Sequence, residues 1–385
     1  MVNIAIPKEI VEGERRVALT PDTVKRITGD SVTVQVETGA GLRAGFDDDA
    51  YVAAGAEIVG DPATLWGGAD LLLKIHIPMD HPVAGKHEAD MLRAGAPLVG
   101  TLQPLVKHDG VQKLASAGVN SFSLDALPRI TRAQSMDVLS SMSTVAGYKA
   151  VLIGASHLGK FLPMLVTAAG TVAPAKVLVL GAGVAGLQAI ATARRLGGVV
   201  IAFDVRAAVK EQVESLGARF LEVEMGADAE DAGGYATALS EEQHQKEVEM
   251  LHEHTKDIDL VITTALIPGR PAPKLITEDM IRDMRIGSVI LDLAAEMGGN
   301  AEGTVPGETV ERHGVTIIGP LNLASTMPKH ASMMYSKNTA TFLQHITEDG
   351  NLKLDYDDEI TGATNITRDG QVVHEATRKA MEGGQ

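Results

Sequence analysis

The stretch Lys176–Asp204, KVLVLGAGVAGLQAIATARRLGGVVIAFD, leaves the chain few folds to choose from. The apolar run Val177–Leu180 predicts a buried parallel strand, Gly181-Ala182-Gly183-Val184-Ala185-Gly186 a tight turn, and Leu187–Leu196 a helix starting at that turn. A second short strand, Val199–Phe203, ends in Asp204. Gly181 permits the turn, Gly183 lets a pyrophosphate approach backbone N–H groups at a helix N-terminus, and Gly186 lets helix pack closely on strand. Asp204, eighteen residues past Gly186, is placed to accept hydrogen bonds from an adenosine ribose. Glycine turns alone also serve plain βαβ crossovers; strand, turn, helix, strand and terminal acid in this order point to dinucleotide binding. The acid favours NAD(H), because a carboxylate repels a 2′-phosphate, while Arg206 two residues on works against that preference.

A chain of 385 residues, 45% hydrophobic with 40 glycines, has room for two or three domains of α/β type. It has no cysteine, which removes disulfides, thiolate metal sites and thiol nucleophiles together and is compatible with a reducing cytoplasm. The formal net charge of −16 argues against direct binding to nucleic acid or to an anionic bilayer, since phosphate contact needs clustered Lys and Arg. Aromatics at 3% leave few platforms for stacking bases. The N-terminal MVNIAIPKEI lacks the long apolar core of a signal peptide. The longest uncharged runs, Phe161–Ala175 and Val177–Ala193, are broken by Pro, Gly, Thr and Lys176, so no membrane span is expected.

Before this fingerprint, short strand-type runs alternate with helical stretches: Asn3–Ile6, Val32–Glu37, Glu57–Val59, Asp70–Ile77, Pro97–Leu102 and Ser121–Leu124, with helices such as Pro21–Ile27 and Val111–Ala117 between them. This pattern predicts a second doubly wound domain. Its Gly39-Ala40-Gly41 leads into LRAGFDDDA rather than an apolar helix and reads as only a turn. Then comes PRITRAQSMD, followed by a Ser-rich, helix-permissive run to Ala155 that links the domains. Polar residues at a hinge suit ligand contacts; a solvated loop with an ion pair from Arg129 or Arg132 to Asp137 fits the composition equally well.

After the fingerprint, Arg206–Leu216 reads as a helix and Arg219–Val223 as a strand. Residues 224–238, EMGADAEDAGGYATA, have no periodic apolar face and read as a mobile lid. The acidic helix Glu241–His254 places His252 and His254 on different faces, which speaks against a metal pair, and no metal site is expected. Asp259–Thr263, Ser288–Leu291 and Val315–Ile318 read as further strands, and the tail from about Met327, with the turn Arg368-Asp369-Gly370, as a return to the first domain. The expected architecture is two doubly wound, Rossmann-like parallel-sheet domains with an interdomain cleft, residues 1–140 plus 328–385 and residues 141–327.

PKEIVEGERRVALTP, PRITRAQSMDVLSS, the fingerprint, FDVRAAVKEQVESLGA, TTALIPGRPAPKLIT and LDLAAEMGGN together resemble the soluble NAD(H)-binding component, the α or α1 subunit, of proton-translocating nicotinamide nucleotide transhydrogenase. PRITRAQSMD is the most specific of these; alanine dehydrogenase shares the fold, and the RVALTP and ALIPG segments do not separate the two. The resemblance implies that Arg129, Ile130, Thr131, Gln134, Asp137 and Ser140 form the loop that holds nicotinamide and its ribose against the NADP(H) of a partner. It also makes Val184, Asp204, Val205, Arg206, Gly234 and Leu266 NAD contacts, with Tyr235 at the tip of the closing loop. It further implies a homodimer, a β subunit carrying the NADP(H) site and proton path, and a small membrane-spanning α2 subunit, with this chain peripheral on the cytoplasmic side.

Direct hydride transfer needs orientation of two nicotinamides to about 3–3.5 Å rather than an acid–base pair. Arg129 and Asp137 could pair to fix the loop, with Gln134 donating or accepting across the interface. The alternative, an alanine-dehydrogenase-like enzyme, needs a lysine and a histidine; the alignment puts His76 in place of the lysine and Gln103 in place of the histidine. Lys74, two residues earlier, is set too far back along the strand to substitute well, and His76 reads as a satisfied histidine.

Overall fold

Short, nearly continuous apolar runs are what parallel strands covered on both faces require, and here they assemble into two separate sheets. The structure, a computed structural model, describes residues 2–29, 31–222, 241–267 and 269–383, apart from the side chains of 241–244. Glu224–Ala238, with Gly234 and Tyr235, lies outside the described residues. The chain divides into one unit of Met1–Met142 with Ala324–Gln385 and another of Ser143–Leu323.

The sheet of the first unit runs, edge to edge, Gln371–Val372, Asn365–Arg368, Asn120–Ser123, Pro97–Gly100, Leu71–Leu73, Val2–Ile6, Val32–Glu37 and Glu57–Val59. The N-terminal strands are all parallel; Asn365–Arg368 adds antiparallel to Asn120–Ser123, and Gln371–Val372 folds back on it. The connecting helices begin at ordinary capping signals: Asp47 accepts from the Ala50 N–H, and Asp61 from the Thr64 N–H. The helix Pro328–His345 brings Tyr335, Phe342 and Leu343 into the same core as Ile4, Ile6, Leu73 and Phe122.

One strand is shorter than the run Asp70–Ile77 suggests. Only Leu71–Leu73 forms regular ladder: the Lys74 N–H still donates to Val99 O at 2.9 Å, but the Ile75 N–H is given to the Glu9 carboxylate at 2.6 Å and the regular pairing ends there.

In the second unit the order is Arg219–Leu221, Val199–Phe203, Lys176–Leu180, Leu260–Thr263, Val289–Asp292, Val315–Ile318 and Thr309–Arg312, all parallel except the last. Thr309–Arg312 gives little apolar signal because it is an edge strand, mostly exposed, with Val310 alone packing on the core. The helix after the fingerprint turn starts at Val184 and ends at Arg195. Arg206–Leu216 is not one helix: a 3-10 turn, Ala207–Val209, precedes the helix Lys210–Ser215, since the Arg206 N–H is tied back to Asp204 at 2.9 Å.

The Ser-rich run becomes a 20-residue helix, Val138–His157. Among the described residues it is the one helix long and apolar enough to cross a membrane by length and composition, a feature that the broken runs elsewhere did not reveal. Part of its apolar surface is used inside the protein: Val138 lies in the core of the first unit, Ala150 and Val151 in that of the second, while Leu139 and Tyr148 stay exposed. Gly147 sits so close to the Ala185 carbonyl that a Cβ would overlap it. Gly147→Ala should therefore lower unfolding free energy by about 2–4 kcal/mol, read from urea denaturation; an unchanged midpoint would refute this close packing.

Candidate functional site

Open parallel sheets bind ligands beyond the carboxyl ends of their strands, where the strand order reverses. In the second unit that point lies between Lys176–Leu180 and Leu260–Thr263, whose exits are Gly181 and Thr264. Gly181 has φ 94°, and its N–H donates to Phe203 O at 2.8 Å, so the chain leaves the strand in a left-handed turn that glycine alone adopts without strain. A Cβ on Gly186 would overlap the Gly181 carbonyl, so helix and turn are in direct contact. Gly183 differs: it has ordinary φ, caps the helix N-terminus, and a Cβ there would meet nothing within 4 Å. The protein's own packing demands glycine at Gly181 and Gly186; the open space at Gly183, against helix N–H groups, fits a pyrophosphate. Val184 beside it is 42% exposed.

Asp204, buried at the end of Val199–Phe203, accepts from the Ala182 N–H at 2.7 Å and so ties the second strand's exit to the turn. Val205 and Arg206 follow, half-buried. Leu266 is exposed on the segment after Leu260–Thr263.

Two residues that support this edge escaped the sequence reading as functional parts. Asn300, fully buried, donates to Ala265 O and Pro273 O, each at 2.9 Å, and accepts from the Ala265 N–H at 3.1 Å, clamping the loop that carries Leu266. Asp292, also fully buried, accepts from the Thr263 and Thr304 hydroxyls and from the N–H groups of Ala294 and Ala301. A buried acid at a strand end, eight residues before an Asn, was the available signal; its partners are set only by the fold.

In the first unit, PRITRAQSMD forms a 3-10 turn, Thr131–Met136, leading into the helix Val138–His157. Ala133 and Met136 point into the core, and Asn338 donates to Ser135 O at 2.8 Å. Arg132 pairs with Asp358 at 3.0 Å. Asp137 caps the long helix, accepting from the Ser140 N–H at 2.8 Å and the Ser140 hydroxyl at 2.5 Å. Arg129, Thr131 and Gln134 are exposed, with Ile130 half-buried, and the Gln134 amide makes no side-chain hydrogen bond to a described residue. The segment thus holds its backbone rigidly while turning polar groups outward.

The order reversal in the first unit, between Val2–Ile6 and Leu71–Leu73, is filled by the protein's own charges. Glu14 accepts from Arg16 Nε at 2.8 Å and Nη2 at 2.6 Å, from the N–H groups of Arg15 and Arg16 and from the Ser325 hydroxyl, and it meets His76 Nε2 at 2.6 Å. Burial pushes the Glu14 carboxyl up, but the hydrogen bonds and charges of Arg16 and His76 outweigh it and hold that carboxyl well below the usual range. Lys74 Nζ, fully buried, lies 3.1 Å from Glu88 and 3.3 Å from Glu9. One lysine faces two carboxylates, and burial, with Glu9 adding to it against Lys74, pushes Glu88 up to about 7. Gln103 is exposed, with φ 51°. His252 of the acidic helix contacts Asp283 at 2.8 Å, and among the described residues no group of three His, Asp or Glu is arranged to hold a metal ion.

The two doubly wound sheets and the glycine turn with its terminal acid define a dinucleotide-binding protein of Rossmann type, and its relatives place it among the NAD-binding oxidoreductases. Residues 5–146 match the alanine dehydrogenase/PNT N-terminal domain and residues 150–375 the corresponding C-terminal domain, and the chain belongs to that family. It is 48% identical to the first of the chains that make up the NAD(P) transhydrogenase alpha subunit of Rhodospirillum rubrum, over 97% of this chain and 98% of that one. The solved transhydrogenase of Sinorhizobium meliloti superposes with a TM-score of 0.84 at 43% identity, covering 97% of this chain and 99% of that one. A solved L-alanine dehydrogenase superposes almost as well, TM-score 0.83, at 27% identity and 99% coverage of both chains. Shape therefore does not separate the two branches, whereas sequence places this chain nearer the transhydrogenase subunits.

The buried trio predicts a pH dependence. A carboxyl that holds its proton to about 7 in the folded chain, against an ordinary 4.5, binds more protons than the unfolded chain across that window. Stability should fall as pH rises from about 4.5 to about 7, by at most roughly 3 kcal/mol from this group. Glu88→Gln should flatten that slope in urea melts at pH 5 and pH 8; an unaltered slope would remove Glu88 as its source.

Proposed function

We propose that this chain is the NAD(H)-binding subunit of a proton-translocating transhydrogenase and passes hydride between its own NADH and NADP⁺ held on a partner subunit. The observation that carries this reading is the segment Arg129–Ser140, whose backbone is anchored by Ala133, Met136 and Asn338 while Arg129, Thr131 and Gln134 face outward. A rigid, polar, outward-facing loop suits a reaction in which the second nucleotide arrives on another protein. When bound, the nicotinamide supplies the hydride. This chain's role is orientation: Arg129, Ile130, Thr131 and Gln134 would hold the nicotinamide end, with Asp137 and Ser140 fixing the turn beneath them. Gly181, Gly183, Val184 and Gly186 would receive the pyrophosphate, and Asp204, Val205 and the backbone of Arg206 the adenosine. Leu266 would add a further contact, and Gly234 and Tyr235 would belong to the loop that closes over the nucleotide.

No residue in this scheme has to take up a proton, which fits a chain whose candidate substitute base is locked away. Lys74 is buried between Glu9 and Glu88, and the His76 ring is held by Glu14, so neither is presented for amino-acid chemistry. The partners would be a β subunit bearing the NADP(H) site and a membrane-spanning α2 subunit, with this chain peripheral on the cytoplasmic side of the membrane. A homodimer is supported by the hairpin Leu165–Thr167 and Gly170–Val172, where Val166 is 77% exposed, with Met164 at 60% and Phe161 at 57% just before it; a second copy would cover this apolar arm.

The decisive assay mixes this protein with a transhydrogenase NADP-binding domain, NADH and an NADP⁺ analogue, beside a mixture of NADH, pyruvate and ammonia. Turnover is expected only in the first; turnover only in the second would replace this reading with an amino-acid dehydrogenase. Gln134→Asn shortens the outward amide by one methylene and should slow hydride transfer at least about tenfold while changing NADH affinity less than about threefold. Equal losses in both would make Gln134 an ordinary cofactor contact.

A further inference from the structure

The Asp204 side chain is 5% exposed, yet every acceptor position on it is used. Oδ2 accepts from the Ala182 N–H at 2.7 Å and from Arg206 Nη2 at 2.8 Å. Oδ1 accepts from the Arg206 N–H and from Arg206 Nε, each at 2.9 Å. A carboxylate offers about four lone-pair sites, two on each oxygen. Here two go to backbone N–H groups that belong to the turn and cannot leave without dismantling it. The other two, one on each oxygen, go to a single movable side chain.

A ribose diol presents two hydroxyl donors on adjacent carbons and, on a carboxylate, asks for one site on each oxygen. Those are the two sites that Arg206 Nε and Nη2 occupy. Fork and diol therefore exclude one another on this carboxylate. We propose that Arg206 is an internal stand-in for the ribose diol, which must withdraw before Asp204 can receive a nucleotide and which thereby sets nucleotide affinity.

The proposal rests on the reading of Asp204 as the ribose acceptor. Its physical logic has two sides. Without the fork, a nearly buried carboxylate would keep two unsatisfied sites, and an unpaired buried charge is strongly destabilising. With the fork, only the fraction of molecules whose Arg206 has swung out is competent to bind, so the apparent dissociation constant rises by the reciprocal of that fraction. Arg206 is half-buried and its own backbone N–H stays on Oδ1, so the guanidinium can move by side-chain torsions alone, leaving strand and turn in place. A cofactor that must be held and then released between turnovers gains from such a reversible competitor.

The test uses the whole chain, with NADH binding read from its fluorescence and with AMP and 2′-deoxy-AMP as competitors. Arg206→Lys keeps the positive charge but lacks the fork, and Arg206→Met lacks both. Both should bind NADH and AMP about three- to tenfold more tightly than the unaltered protein, and the preference for AMP over 2′-deoxy-AMP should widen, because the freed sites reward the diol. Both should also melt at lower temperature without ligand, and AMP should raise that temperature further in them than in the unaltered protein, an excess that a merely structural brace would not produce. Asp204→Asn should weaken AMP binding and erase the preference. If Asp204→Asn changes neither, the ribose reading fails and takes the proposal with it. If Asp204→Asn weakens binding but Arg206→Lys binds no more tightly, the stand-in role alone is overturned. Should Arg206→Met fail to fold, Arg206→Lys and Arg206→Gln carry the comparison.

Discussion

The contact between Gly186 and the Gly181 carbonyl is the constraint on which the second unit depends. It brings the helix Val184–Arg195 onto the end of Lys176–Leu180 so closely that no side chain fits between them. The helix N-terminus is thereby aimed at the space above Gly183, and the neighbouring exits are drawn to the same edge: Asp204 by the Ala182 N–H, Thr264 by its hydroxyl bond to Gly181 O at 3.1 Å. Asn300 holds Ala265 on that same exit, and Asp292 holds the next one through the Ala294 N–H. A single steric condition thus organises the carboxyl edge, and hydrogen bonds from buried polar groups keep it there.

The two units use the same topology to opposite ends. At the order reversal of the second, glycine backbone and one acid leave room for a ligand. At that of the first, Glu14 with Arg16 and His76, and Lys74 with Glu9 and Glu88, fill the corresponding place with internal ion pairs. Buried pairs of this kind contribute modestly to stability but are costly to break, since removing one partner strands the other. The contribution proposed for the first unit lies instead on the turn Thr131–Met136, whose apolar Ala133 and Met136 face inward and whose polar neighbours face outward.

Much of the fold was legible because local chemistry and fold agree. Runs such as Val32–Glu37, which alternates apolar and polar residues, and the apolar Val199–Phe203 are short and bounded by turn residues, and they appear with those bounds. Where the reading departed from the structure, a long-range contact had intervened. Asp70–Ile77 looks like one strand until Glu9, from a distant turn, takes the Ile75 N–H. Arg206–Leu216 looks like one helix until the pull of Asp204 on the Arg206 N–H delays its start. Thr309–Arg312 offers too little apolar pattern to read, because Val310 alone packs on the core and the antiparallel ladder with Val315–Ile318 carries the rest.

The class of fold and the glycine turn with its terminal acid were already set by the local sequence, because backbone sterics at glycine and the periodicity of apolar residues act over a few positions; the loop between Pro128 and Ser140 stood out only by its resemblance to a known family. Tertiary structure alone decided which charges meet. Lys74 finds Glu88 fourteen residues away, Arg132 finds Asp358 across 226 residues, and Asn300 reaches back 35 residues to Ala265. Such pairings follow from where strands end in space, and a hydrogen bond forms only when donor and acceptor are brought within about 3 Å with the right angle.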